Sequence, residues 1–483
     1  MAPARVEPSI ETRLFINGKF QPSKSGKTFN LTNPTTREVI AEIHEADEED
    51  TNAAVAAAKA AFPTWRDLEP CERGVYLAKF SKLIRDSIDE LAYLEAISTG
   101  KPISAFVDGN TAASNFQHFA EAGYQIQGSS SLNTRNHLNI TVKQPFGVVA
   151  CIIPWNAPCI FFSLKVAPAL AAGNTVVLKS SEKAPLTSIY LAKLAAEAGF
   201  PPGVLNVITG FGRPCGSTLS SHMDVRCLSF TGSPVAGQQI QAAAAASNMK
   251  NVILELGGKS PAIIFEDADL ESAATMTQNS IQYLSGQMCM ANSRIYVHES
   301  VADRFLALFK EKFGAARLGD PLDKTTTQGP QVDEVQYNRI KSYLEIGQRD
   351  GTMTLGGDAQ DGFYIKPTVF ENVPEDSRII KEEVFGPVVV INTFKTESEV
   401  ISKANDTEFG LYAAVFTKNI DRAIRVSKLL EAGTVAINCT SPTQAKELPF
   451  GGFKGSGVGR EGYGISLENY VETKTILIRV SPE

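Results

Sequence analysis

From residue 148 onward, short unbroken apolar runs alternate with stretches whose apolar positions recur every three to four residues. Val148-Val-Ala-Cys-Ile-Ile153, Asn174-Thr-Val-Val-Leu178, Val204-Leu-Asn-Val-Ile208, Arg226-Cys-Leu-Ser-Phe230, Asn251-Val-Ile-Leu254 and Ala262-Ile-Ile-Phe265 read as one set of buried strands. Helices are expected between them at Phe161 to Leu170, Leu186 to Ala198 and Gln238 to Ala246. This alternation predicts a doubly wound, parallel α/β sheet that holds ligands at the C-terminal ends of its strands. A second α/β unit is expected from residue 266. Its helices fall at Leu270 to Leu284, Val301 to Phe313 and Tyr337 to Arg349. Its strands fall at Ile295–Val297, Ile365–Phe370, Val388–Phe394, Ala413–Thr417 and Val435–Asn438.

Upstream the pattern differs. Short strands are expected at Arg13-Leu-Phe-Ile16, Lys19-Phe20 and Thr28–Leu31, with a hairpin turn at Asn17-Gly18. Helices follow at Glu48 to Phe62, Cys71 to Ser98 (with Pro70 in the first turn) and Ala105 to Tyr124. Residues 129–143 are rich in Ser, Asn and Thr, with Leu138, Ile140 and Val142 alternating; Ile476, Ile478 and Val480 alternate near the chain end. Such segments suit a ribbon leaving the globular body. They can pair with each other or with a second subunit, and an ordinary edge strand would read the same.

Length and composition narrow the function. At 483 residues the chain exceeds one core. A net charge of -7 argues against nucleic acid and anionic membranes as partners. No run approaches the roughly 20 apolar residues that cross a bilayer, and the first 13 residues lack a signal-peptide core, so a cytoplasmic protein is expected. Seven scattered cysteines and five scattered histidines, without CxxC or HExxH, suit a reducing compartment and no metal site.

The candidate chemistry centres on Ser285-Gly-Gln-Met-Cys-Met-Ala-Asn-Ser-Arg294, where Cys289 follows Gly286 between a helix and a strand. A cysteine there is either packed and inert or a nucleophile. Phe230-Thr-Gly-Ser233 runs a strand into a helix start, which suits a pyrophosphate or a plain N-cap at Ser233. The Gly210-Phe-Gly212 turn with Gly216 is a loose glycine pattern, and Gly455-Ser-Gly-Val-Gly459 lacks the context of a nucleotide fingerprint.

Pro154-Trp-Asn-Ala-Pro158, Leu178-Lys-Ser-Ser-Glu182, Glu255-Leu-Gly-Gly-Lys259, Gly286-Gln-Met-Cys289, Glu382-Glu-Val-Phe-Gly-Pro387 and Pro449-Phe-Gly-Gly-Phe-Lys454 follow one another in order. Together they resemble the NAD(P)-dependent aldehyde dehydrogenase superfamily, over residues 13 to 478. The Gly-Gln-x-Cys-Met form looks like its salicylaldehyde and vanillin dehydrogenase branch.

The resemblance implies that Cys289 is the nucleophile, that Asn156 and the Cys289 N–H form an oxyanion hole, and that Glu255 is the base for the hydrolytic water. It implies cofactor contacts at Trp155, Lys179, Glu182, Gly212, Gly232, Ser233, Glu383 and Phe385. Glu182 favours NAD, with NADP the weaker alternative. The substrate tunnel is expected at Phe161, Phe162, Leu164, Met288, Met290, the Phe116–Tyr124 helix and the Thr440–Thr443 loop, which suits an aromatic or medium aliphatic aldehyde. Arg135 and Arg294 have no assigned place. The implied architecture is an NAD-binding domain (1–126 with 146–257), a catalytic domain (258–455) and an oligomerisation ribbon (127–145 with 470–483) that builds a homodimer or homotetramer. Rival readings are a CoA-acylating enzyme, against which Glu255 argues, a semialdehyde or aminoaldehyde dehydrogenase, a non-catalytic homologue, and a Cys–His hydrolase using His298.

Overall fold

The computed structural model describes residues 10–360 and 362–481. The first nine residues, on which part of the targeting reading rests, and the last two lie outside the described residues. Two large sheets organise the chain. The first has eight strands, in the order Lys19–Gln21, Leu14–Ile16, Leu205–Ile208, Thr175–Lys179, Val148–Ile152, Val225–Thr231, Asn251–Glu255 and Gly457–Val458. Its five inner strands are parallel, and the outer ones at both edges run antiparallel. Val148–Ile152, Thr175–Lys179 and Leu205–Ile208 are buried along their whole length, as apolar runs covered on both faces must be. Chain order reverses between Val148–Ile152 and Val225–Thr231. That switch point opens a crevice at the strand C-termini.

The second sheet has seven strands, in the order Thr352–Leu355, Thr368–Glu371, Val388–Phe394, Arg294–His298, Pro261–Ile264, Tyr412–Phe416 and Thr434–Ile437. All pairs are parallel except the one at the Thr352–Leu355 edge. Here the sequence reading is corrected: Pro261–Ile264, expected to complete the first sheet, sits inside the second. Only five residues separate Glu255, ending a strand of one sheet, from Pro261, starting a strand of the other. Hydropathy alone carries no sign that the chain changes sheets there.

Other boundaries shift for local reasons. The single helix expected over Cys71 to Ser98 is two, Pro70–Asp86 and Ile88–Thr99, broken at Ser87, whose φ of -115° and ψ of 23° are not helical. The expected strand at 365–370 is cut by Pro367, which has no N–H for a ladder; only Thr368–Glu371 joins the sheet. The Glu48–Arg66 helix continues through Pro63 because Trp65 is buried and its indole N–H donates to Leu170 O at 3.1 Å. Val39–His44, a strand missed in the sequence, pairs with Thr28–Thr32.

Val471–Arg479 and His137–Pro145 pair with each other, antiparallel over nine residues, in a three-stranded sheet whose other edge is Ser130–Ser131. Among the described residues no helix is long and apolar enough to cross a membrane.

Candidate active site

Cys289 lies between the Leu270–Gln282 helix and the Arg294–His298 strand. Leu284 and Ser285 hold left-handed φ of 52° and 56°, and Gly286 follows at 75°. Such backbone costs non-glycine residues about 1–3 kcal/mol each and needs outside restraint. Gln287 supplies it: its side-chain amide donates to Leu284 O at 3.1 Å, and its side-chain oxygen accepts from Val332 N–H at 3.0 Å. Ser285 Oγ donates to Gly329 O at 2.9 Å. A Cβ on Gly286 would stand 2.1 Å from the Gly386 carbonyl, so no side chain fits there.

Two cavities meet at this turn. A cleft of about 330 Å³ is lined by Pro154, Trp155, Asn156, Gly232, Ser233, Cys289, Glu383 and Phe385, among others. It lies at the switch point, beside the N-terminus of the Pro234–Ala246 helix. A second cavity, of about 430 Å³, is lined by Asn156, Phe161, Leu164, Glu255, Met288, Cys289 and Met290 with mostly apolar neighbours. Asn156, Phe161 and Cys289 belong to both.

Cys289 is half-buried and unpaired, as are the other six cysteines in that none forms a disulfide. Burial raises its thiol well above the ordinary value, and Glu255 and Glu383 add to the rise; the N–H groups of Cys289 and Met290 oppose it. Asn156 Nδ2 donates to Gln287 O at 2.9 Å, fixing the amide and leaving its other N–H available. Glu255 ends the Asn251–Glu255 strand, buried, with Oε1 lacking any partner. Burial pushes its carboxyl well up, Glu461 adds to that, and Lys165 and Arg460 oppose it.

Sequence reasoning missed the pair beside it. Lys165 Nζ donates to Glu461 Oε1 at 2.8 Å and to Ser229 Oγ at 2.9 Å, both charged side chains being buried.

On the cleft side, Glu383 Oε1 accepts from Gly258 N–H at 2.9 Å, and burial raises its carboxyl to about 7. Gly258 is a point of closest approach: a Cβ there would stand 2.2 Å from Cys289 O, so this link between the sheets must be bare backbone. Phe385 also has a left-handed φ of 60°, held by Gln336 Nε2 donating to its carbonyl at 2.8 Å. Its ring meets Trp155 edge-on at 5.4 Å. Ser233 Oγ caps its helix, accepting from Ala236 N–H at 3.3 Å, so the residue both caps and lines the cleft.

Lys179, Glu182 and Gly212 do not line this cleft. Lys179 Nζ donates to Ser180 O at 2.8 Å and lies 3.8 Å from Glu182 Oε2. Glu182 faces a neighbouring groove of about 610 Å³ with Lys183, Phe211 and Phe29. Gly212 is open, with nothing within 4 Å of a would-be Cβ.

The expected tunnel wall needs three corrections. Phe162 is fully buried in the core and Phe116 packs on Phe80 at 4.6 Å; Val107, just before the Asp108–Ala122 helix, and Thr111 and Asn115 in its first turns line the region instead. The loop contributes Pro442, Gln444, Ala445, Lys446 and Leu448. Thr440 and Ser441 are buried, bonding to Asn292 Oδ1 at 2.6 Å and Met290 O at 2.8 Å. Arg294 is buried in hydrogen bonds to Lys259 O, Lys403 O and Ala404 O. His298 bonds Ser300 Oγ at 2.8 Å and lines neither cavity, so no Cys–His pair is built here.

The profile of the Aldehyde dehydrogenase family matches residues 20–476. An aldehyde dehydrogenase of Emericella nidulans is 47% identical over 472 residues, covering 97% of this chain and 95% of that protein. Among solved structures, a gamma-glutamyl-gamma-aminobutyraldehyde dehydrogenase from Burkholderia cenocepacia matches with a TM-score of 0.96 at 43% identity, covering 98% of both chains. An indole-3-acetaldehyde dehydrogenase from P. syringae, solved with NAD+, matches with a TM-score of 0.96 at 40% identity, covering 98% of this chain and 97% of that one.

Proposed function

The chain belongs to the aldehyde dehydrogenase family, and from that premise we propose that it oxidises an aromatic or medium aliphatic aldehyde to its carboxylic acid, with NAD as acceptor and Cys289 as nucleophile. The observation that carries this reading is the convergence of Cys289, Asn156 and Glu255, from three separate segments, on one cavity that adjoins a second, cofactor-sized cleft.

The Cys289 thiolate bonds to the aldehyde carbon, and the carbonyl oxygen becomes an oxyanion that the free N–H of Asn156 stabilises. When bound, the dinucleotide supplies the hydride acceptor, which leaves a thioester on Cys289. Glu255 then takes a proton from water, the hydroxyl adds to the thioester carbon, and the C–S bond breaks to release the acid. A carboxylate with an unpartnered oxygen, whose proton affinity burial raises, suits that task. The buried Lys165–Glu461 pair gives the accepted proton a polar neighbour.

The lining of the cleft suits the nicotinamide and pyrophosphate half of a dinucleotide. Gly232 and Ser233 offer a helix N-terminus to a pyrophosphate, Glu383 a carboxylate to ribose hydroxyls, and Trp155 with Phe385 an aromatic wall. Lys179 and Glu182 would hold the adenosine ribose, where a carboxylate accepts a free 2′-OH and repels a 2′-phosphate. Gly212 would border that end.

The cofactor domain (1–126 with 146–257), catalytic domain (258–455) and ribbon (127–145 with 470–483) are the working units of this reading. Val471–Arg479 lies at a sheet edge with Ile476, Leu477 and Ile478 exposed, which supports a homodimer or homotetramer closed through the ribbon. Unpaired thiols throughout support a cytoplasmic setting. The test is an aldehyde panel with NAD and NADP, followed by NADH absorbance. Cys289→Ala is expected to abolish turnover while leaving NAD binding, read by calorimetry, intact. Turnover surviving that substitution would remove the reading.

A further inference from the structure

The substrate-side cavity carries a charge that the reaction does not use. Of its lining residues, Glu255 and Glu461 are the acids and Lys446 is the one base. Glu255 is the base of the scheme above, and Glu461 is paired with the buried Lys165. Lys446 lies in the loop between Thr440 and Phe450, and it is unpaired among the described residues.

That loop is not free to swing. Thr440 Oγ1 and Ser441 Oγ tie it to Asn292 and to Met290 O, Tyr412 OH donates to Thr443 O at 2.9 Å, and Tyr463 N–H donates to Lys446 O at 2.8 Å. The backbone of Lys446 is therefore pinned to Tyr463, itself a wall residue. Val107 and Leu448, which line the same cavity, are 52% and 58% exposed and so mark its mouth. Between them and Cys289 the wall is Ile160, Phe161, Leu164 and Met290.

No carboxylate pairs with the Lys446 ammonium among the described residues. Lys446 is itself exposed, so its ammonium stands at the mouth with Leu448, and partial burial holds its value below the usual lysine range. An unpaired cation at the mouth of an apolar channel gives the charged end of an anionic substrate a partner while its body stays in the channel. One ammonium with no arginine beside it matches a monovalent carboxylate better than a phosphate, which calls for several donors.

We infer that Lys446 reads a distal carboxylate, so that the preferred substrates are aldehydes bearing a carboxylate at the end remote from the carbonyl, joined to it by an aromatic or methylene spacer. This rests on the proposed reaction at Cys289 and adds its substrate class.

The experiment compares matched pairs: 4-carboxybenzaldehyde with benzaldehyde, 8-oxooctanoate with octanal, and 12-oxododecanoate with dodecanal. Each is assayed with the wild type, Lys446→Met and Lys446→Arg, at low salt and at 0.5 M KCl. In at least one pair, Lys446→Met is expected to lower the carboxylate-to-neutral ratio of kcat/KM about two- to fivefold, through KM. Lys446→Arg should retain the preference, and salt should erode it in the wild type. A carboxylate-to-neutral ratio that Lys446→Met leaves unmoved in every pair overturns the inference while the oxidation stands. Absence of NADH from every aldehyde removes the parent reading, and this inference with it.

Discussion

Replacing Glu255 by Gln separates the electrostatic argument from the catalytic one. The carboxyl is buried at the end of the Asn251–Glu255 strand, one of its oxygens has no partner, and its proton affinity lies well above the ordinary value of 4.5. The folded chain therefore holds this proton more tightly than the unfolded chain. The stability contributed by the neutral form is complete below the ordinary value and is lost as pH rises through the folded one. Within that window the loss is about 1.4 kcal/mol per pH unit. Glu255→Gln keeps the shape and removes the proton. Its stability relative to the wild type should therefore grow with pH, by up to about 2.7 kcal/mol over two units inside the window. Glu461 and Lys165 remain in both proteins, so the difference in slope belongs to Glu255. Scanning calorimetry of both proteins from pH 5 to 8 measures it. Steady-state turnover should fall about 10²–10⁴-fold in the variant, while one equivalent of NADH still forms in a burst, because only release of the acyl group needs the base. A melting-temperature gap that stays constant across this range would show that Glu255 ionises alike in both states and would refute the burial argument. Loss of the burst would instead place Glu255 before hydride transfer.

Two further outcomes test the remaining contacts. Asn156→Ala should lower kcat about 10²–10³-fold with NAD affinity unchanged, read by stopped-flow and by calorimetry, since it removes one oxyanion donor and its brace on Gln287 O. Glu182→Ala should raise the NADP-to-NAD ratio of kcat/KM at least tenfold by removing the charge that opposes a 2′-phosphate; an unchanged ratio would assign cofactor choice elsewhere.

The inner strands were legible because strands covered on both faces are apolar throughout. That signal is local, and five of the first sheet's strands fell where their runs lay. The switch of Pro261–Ile264 to the second sheet was not legible in the hydropathy, because the same apolar run serves either sheet. Cys289, Asn156 and Glu255 were found through motifs that place them after strands or turns. Lys165 and Glu461 had no such signal: 296 positions separate them, and a charge in a sequence reads as surface until the fold buries it. The tunnel wall was misplaced by a similar route. Large aromatics such as Phe116 and Phe162 look like lining for an apolar channel, yet they fill the core around Phe80, and the smaller Thr111 and Asn115 reach the cavity.

The strained backbone gives a reason why the site is spread over so many segments. Leu284 and Ser285 on the approach to Cys289, and Phe385 at the opposite cleft wall, all take left-handed conformations that their own side chains disfavour. Each is held by glutamine amides. Gln287 bridges Leu284 O and Val332 N–H, Gln331 donates to Ser285 O at 3.3 Å, and Gln336 donates to both Val384 O and Phe385 O. A neutral amide can brace two backbone groups without adding charge beside Glu255, Glu383 and the thiol, whose proton affinities burial has already displaced. Carboxylates at those positions would raise all three further, and lysines would pair with them. The geometry of the sulfur is thus set by the residues around 329–336 as much as by its own turn, and their uncharged character leaves the ionisation of the site to the groups that react.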